Sequence, residues 1–164
     1  MNSLNQAINI LSENIYCSVA TASKEGVPWN TPVFYSYDQH LNLYWASAID
    51  AVHSRFLREN PLAFIVVFNS SAPARCATAV YLQGHVHIVS DDILDNKVIQ
   101  HFKRVNEDSL FTGDYYRGSS PERLYAFTPE KVWVLGEPVD QGGHPVDART
   151  ELSLDALRKY LNAS

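Results

Sequence analysis

Gly26-Val27-Pro28-Trp29-Asn30-Thr31-Pro32-Val33-Phe34-Tyr35-Ser36-Tyr37, then Asp38-Gln39-His40, then Leu41-Asn42-Leu43-Tyr44-Trp45-Ala46 is the stretch on which the fold turns. The first run is rich in Val, Thr and aromatics, which suits a strand. The middle three residues turn the chain back. The last run alternates apolar and polar, then becomes continuously apolar, as a strand entering a core does. Ser47-Ala48-Ile49-Asp50-Ala51-Val52-His53-Ser54-Arg55-Phe56-Leu57-Arg58-Glu59-Asn60-Pro61 follows and puts hydroxyls, a His and an Arg around a helix start. A helix start offers free N–H donors, and with a fixed cation beside it an anionic group is well served there. The helix after Asp50 is expected to bury Val52, Phe56 and Leu57, and Asn60-Pro61 stops it. Pro28 and Pro32 cannot donate to a ladder, so one side of their strand is unpaired, as a bare edge or a ligand-facing one.

Working outward, residues 3–14 carry Leu4, Ala7, Ile8 and Leu11 at helical spacing, with Ile15 beyond, and Ser3 with Gln6 makes a capping-box pattern. Tyr16 to Ser23 is the first strand, and Lys24-Glu25-Gly26 its hairpin turn. Leu62 to Phe68 is the next strand, followed by a polar loop over 69–75. A long strand over 76–89 is interrupted by Gly84, which predicts a bulge or the close approach of another backbone. A helix over 91–104 presents Leu94, Val98, Phe102 and Val105 on one face, capped by Ser90 or Asp91. Residues 106–122 read as irregular, 123–135 as paired strand, 137–150 as a loop, and about 153–162 as a helix capped by Ser153 that buries Leu154, Leu157 and Leu161.

The length, 164 residues, with 46% apolar and 12% aromatic residues, predicts one globular domain over 1–164. A net charge of −5 speaks against a general nucleic-acid binder. No run of about 18 apolar residues occurs, so no membrane span is expected. The N-terminal residues lack the pattern of a signal peptide, so a cytoplasmic location is expected. Cys17 and Cys76 fall in predicted strands; a disulfide fits the sequence, but with nothing pointing to export, reduced buried thiols are the expectation. The pattern is a mainly β, α+β chain: an antiparallel six-stranded barrel with peripheral helices, its strands near 16–23, 27–37, 41–46, 62–69, 77–89 and 123–135.

The hairpin, the Ser-rich corner, the basic helix start and the Asn-Pro stop, taken in that order, resemble the FMN-binding split β-barrel family related to pyridoxamine 5′-phosphate oxidase. Leu62-Ala63-Phe64-Ile65-Val66-Val67-Phe68, Val80-Tyr81-Leu82-Gln83-Gly84-His85-Val86-His87-Ile88-Val89 and Leu124-Tyr125-Ala126-Phe127-Thr128-Pro129-Glu130-Lys131-Val132-Trp133-Val134-Leu135 resemble its later strands, so the likeness spans roughly residues 5–138. What the resemblance implies is a split barrel that binds FMN between two copies of the chain and moves electrons to or from a small molecule. Carried over, Ser47, His53, Ser54 and Arg55 fall where the family holds the flavin phosphate. Backbone groups of Asn30, Thr31, Pro32, Val33, Trp45 and Ala46 fall along the edge of the flavin ring, and Gln83 and Trp133 reach the site of the partner chain. No catalytic residue is assigned.

Departures narrow the expectation. Pyridoxamine phosphate oxidase carries an Arg where this chain has Thr31 and a Lys near Ser36, and its C-terminal Arg-x-His motif has no counterpart in His144-Pro145-Val146-Asp147-Ala148-Arg149. That enzyme's own activity is therefore not expected. Two alternatives share the scaffold: a non-catalytic flavin- or haem-binding protein, for which His53 is a candidate axial ligand, and a reductase using the deazaflavin F420. His85 and His87 share a strand face, and His101 or His144 could join them, but His-x-His without further ligands at matching spacing does not make a metal site. No Gly-x-Ser-x-Gly elbow and no glycine-rich phosphate loop occurs.

Overall fold

The computed structural model describes residues 2–73, 76–104 and 112–163. Strands β1 (Tyr16–Ala22), β2 (Pro28–Phe34), β3 (Ser36–Tyr37), β4 (Leu43–Ala48), β5 (Leu62–Phe68), β6 (Ala79–Ile88), β7 (Glu122–Leu135), β8 (Val139–Asp140), β9 (Pro145–Val146) and β10 (Arg149–Leu152) are interleaved with helices α1 (Ser3–Glu13), α2 (Val52–Glu59), α3 (Asp91–Lys103) and α4 (Leu154–Ala163). The sheet runs β2-β1-β5-β6-β7-β4-β3, with β10 added beside β7, and every pairing is antiparallel. It curls into a half barrel, the split-barrel architecture the sequence predicts.

The curl has two cores. Inside, Val19, Tyr35, Leu43, Trp45, Ile65, Leu82, Phe127 and Val132 pack with Ala7, Ile10 and Leu11 of α1 and Leu157 of α4. On the other side of β4 and β7, Tyr44, Leu124 and Ala126 pack under Leu94 and Val98 of α3. Alternation along each strand sends successive side chains to opposite faces, so β4 can feed both cores.

The sheet is open between β2 and β4. Residues 28–37 and 43–48 form a hairpin that closes only near its turn, with Ser36 opposite Tyr44 and Tyr37 opposite Leu43. Continued at that register, the ladder would set Val33 opposite Ser47. Instead the chain bends at Tyr35, whose amide donates to the Ile15 carbonyl, and β2 pairs with β1 alone. Pro28 and Pro32 lack the N–H groups a second ladder would use. β2 and the end of β4 therefore face each other as two unpaired lips, with α2 at their end.

The turn before β4 is fixed by Asp38. Its carboxylate accepts from the His40 and Asn42 amides, the Tyr44 hydroxyl and Lys97 Nζ at 2.7–3.0 Å, and Leu41 takes the rare positive φ of 61°. Burial pushes the Asp38 carboxyl up, but the Tyr44, Lys97 and Asn42 donors outweigh it and hold it below its ordinary value.

Several local expectations are corrected. The N-cap of α1 is Asn2, whose Oδ1 accepts from the Leu4 amide, because Ser3 already lies in the helix. The long strand starts at Ala79, so Cys76 is exposed and outside it, while Cys17 is buried as expected; both are free thiols. α2 buries His53, Ser54 and Leu57 rather than Val52 and Phe56, which are half-buried. The loop over 137–150 contains the β8–β9 hairpin and runs into β10. Residues 113–116 form a turn of 3₁₀ helix where irregular chain was expected. Val105 of the expected α3 face, and Ala74 and Arg75 of the polar loop, lie outside the described residues.

Candidate functional site

The corner between β4 and α2 is knit together by backbone. The Ile49 amide donates to the Pro121 carbonyl, Ala51 to Ala48, and Arg55 to Ala51. Ala51 is the N-cap of α2, and Ala has no side-chain acceptor to offer; no acid occupies the first turn. The first amides of the helix are left free to donate outward, where the positive end of the helix dipole adds to them.

Arg55 stands exposed beside these amides. Its Nη1 donates to the Asp50 carbonyl at 2.6 Å, which leaves most of the guanidinium fork uncommitted. It is the carbonyl of Asp50, not its carboxylate, that Arg55 holds. Arg58, one turn on, donates to the Ile49 carbonyl at 3.3 Å. Among the described residues neither arginine lies within ion-pair distance of a carboxylate.

Behind this rim the side chains turn inward. Ser47 Oγ and His53 Nε2 are 2.8 Å apart, one donating to the other according to the imidazole tautomer. Burial lowers the His53 pKa, which keeps the ring neutral near pH 7. Ser54 shares the inward face of α2 with Leu57, and its Oγ has no partner among the described residues. The Ser54 hydroxyl thus looks into the barrel, and only its amide can serve an anion at the corner. Trp45 is also fully buried, stacked on Tyr125 at 5.9 Å, with its Nε1 unpartnered among the described residues.

On the facing lip, Asn30 and Pro32 are exposed, Thr31 is half-buried and Val33 is buried. Asn30 Oδ1 accepts from Ser18 Oγ at 2.7 Å, and Trp29 Nε1 donates to Thr31 Oγ1 at 2.9 Å. Ala46 turns to the α3 side and packs there. The fold accordingly brings Asn30, Thr31, Pro32 and Val33, Trp45, Ala46 and Ser47, and His53, Ser54 and Arg55 to one opening, with backbone edges rather than core side chains presented to it. Gln83 and Trp133 are elsewhere: they project from the outer face of β6 and β7, Gln83 opposite Phe64 and Trp133 opposite Tyr81.

Two residues were not singled out from sequence. Arg58 repeats Arg55 at one helical turn, which was a visible signal. Arg123 sits opposite Ser47 in the β4–β7 ladder and ties down the carbonyls of Gly118, Ser120 and Glu122; nothing local in the sequence pairs it with Ser47. Of the histidines, His85 Nδ1 lies 2.9 Å from Glu130 Oε1, and His101 is buried against Ser36.

Solved structures share this fold. The heme binding protein from Mycobacterium smegmatis superposes with a TM-score of 0.70 at 20% identity, over 97% of this chain and 61% of that one. HutZ, the heme storage protein from Vibrio cholerae, gives 0.68 at 18% identity over 82% and 95%. A FAD-binding protein from Mesorhizobium loti gives 0.61 at 17% identity over 82% and 94%. The chain spans about three fifths of the length of the mycobacterial protein. A search of curated proteins returns no match. The sequence profile of pyridoxamine 5′-phosphate oxidase matches residues 5–136, and the chain belongs to that family.

Proposed function

We propose that this chain binds FMN at the opening between β2, β4 and α2, as a homodimer, and serves as an FMN-dependent oxidoreductase for a small molecule. The observation that carries the proposal is the corner itself: an uncapped helix start beside an arginine with free donors, at the end of two unpaired strand edges. A dianionic phosphate calls for cationic and N–H donors, and a flat ring with a polar rim calls for backbone donors along an apolar slot. When bound, the flavin supplies the electron chemistry. The protein's part is to hold the phosphate with Arg55 and the amides of Val52, His53 and Ser54, and to set the ring against the edges of 30–33 and 45–46. Ser47 and His53 brace the corner from behind.

The haem alternative draws support from the haem-associated proteins that share the fold. His53 does not help it, because Nε2 is committed to Ser47 and the ring is buried. An absorption spectrum of the purified protein separates the two: paired flavin bands, or one intense Soret band. The direct test compares FMN with riboflavin. Arg55→Ala should weaken FMN roughly ten- to a hundred-fold, since charge-assisted bonds are worth about 1.5–3 kcal/mol each. Riboflavin, which lacks the phosphate, should bind as before. Flavin fluorescence titration reads both; equal weakening assigns Arg55 to the fold or the ring, and no weakening removes the phosphate site from this corner.

A further inference from the structure

Away from the lips, the last turn of α2 leaves a half-enclosed cavity of about 210 Å³ against β6 and β7, lined by Leu57, Arg58, Val86, His87, Ile88 and Tyr125. Its walls are rigid and apolar. Leu57 and Val86 belong to the interior core, and the Tyr125 ring is held flat by its stack on Trp45, 15° from parallel. Its rim is cationic. Arg58 spends one long hydrogen bond, 3.3 Å, on the Ile49 carbonyl and faces no carboxylate among the described residues. His87 also lines it and is exposed; the register is unbroken from Gly84 to Ile88, so His87 shares its strand face with His85, which Glu130 takes up.

We propose that this cavity is a binding site for a small, flat organic carboxylate, of the size and character of an aromatic acid. A dry apolar cavity of about 150 Å³ accommodates benzene, so the volume suits one ring and a short polar group. The ring lies on Tyr125 between Leu57 and Val86. The carboxylate meets the Arg58 fork, whose planar donors match a carboxylate in pairs. A cationic or neutral ligand of the same shape gains nothing from that rim.

The site does not depend on the flavin proposal and can be tested apart from it. Benzoate is titrated into the full-length chain while the His87 imidazole resonances and the heat of binding are followed. The expected result is saturable binding in the millimolar range, usual for so small a ligand, with His87 shifting. Benzyl alcohol, of similar shape and no charge, should bind about ten-fold more weakly. Arg58→Gln should weaken benzoate about ten-fold and leave benzyl alcohol unchanged; Arg58→Lys, which keeps charge without the fork, should fall between. Arg58 is exposed, so an unchanged melting temperature should accompany both variants. Absence of a saturable His87 shift, equal affinity for the acid and the alcohol, or indifference to Arg58→Gln overturns the proposal. So does a parallel loss of benzoate binding in Arg55→Ala, which would make the two arginines one anion site at the corner.

Discussion

His101 shows how much one polar residue can do inside an apolar stripe. It is 1% exposed; its Nδ1 is 2.9 Å from Ser36 Oγ, and its ring lies 4.5 Å from that of Phe34. Burial first, and the Arg104 charge second, push its pKa down to about 4 from an ordinary 6.5. The unfolded chain takes up this proton near pH 6.5 and the folded chain only near 4, so acid favours unfolding across that interval. Stability should therefore fall by roughly 3 kcal/mol as pH drops from about 6.5 to about 4. The lowered Asp38 adds its own loss at still lower pH. Urea unfolding of the wild type and His101→Gln at a series of pH values checks this: the variant should start less stable at pH 7 and show a flatter slope. Equal slopes would place the acid sensitivity elsewhere. In the sequence, His101 is only one of several scattered histidines. The periodicity gives the stripe Leu94, Val98 and Phe102, whereas the buried set is Leu94, Val98 and His101. Its hydroxyl partner is 65 residues away, and no local pattern contains it.

At the scale of elements, the legible parts were those whose reason is local. Val, Thr and aromatics marked β2, and alternation passing into an apolar run marked β4. The two prolines marked β2 as a strand with an open side, and that open side is one lip of the site. Gly84 marked a bulge, and the β6–β7 register does shift there. What gave no sign was the partner: a Cβ on Gly84 would stand 2.1 Å from the Thr128 carbonyl oxygen and 2.9 Å from Pro129 Cα. Both are backbone atoms that cannot swing away. Gly84→Ala should therefore cost roughly 3 kcal/mol, through overpacking that pries β6 from β7. Chemical denaturation measures it; a loss under about 1 kcal/mol would mean the ladder can slide. β10 went unseen for the opposite reason. Arg149-Thr150-Glu151-Leu152 is short and mostly polar, and only the edge of β7, already in place, makes it a strand. The corner was legible as a set of residue types but not in its orientation. Helical spacing pointed to Val52 and Phe56 beside Leu57 as the buried face of α2, whereas the structure turns His53 and Ser54 inward with Leu57 and leaves Arg55 at the rim.

For the whole molecule, the outer face of β5, β6 and β7 is a sheet surface that none of the described helices covers. Leu62 and Phe68 stand 46% and 47% exposed at the two ends of β5. Between them Phe64 stacks on Trp133 at 6.2 Å, and the Arg149 guanidinium lies 4.0 Å from the centroid of Tyr81. This is the face we propose for the dimer, and a stable interface covers about 800 Å² on each partner. Gln83 and Trp133 project from the same face, so a second copy seated on it can receive them at its own opening, which they cannot reach within one chain. The double variant Leu62→Lys/Phe68→Lys should therefore turn the proposed dimer into a folded monomer. Both side chains are already in solvent in the single chain, so its stability should change by less than about 0.5 kcal/mol. FMN affinity should fall with the dimer. Gln83→Ala should weaken FMN while leaving the dimer whole. Light scattering at micromolar concentration, read beside flavin fluorescence, distinguishes the outcomes. A lysine variant that stays dimeric moves the interface to another face. One that becomes monomeric yet binds FMN as tightly as before makes each opening complete within its own chain.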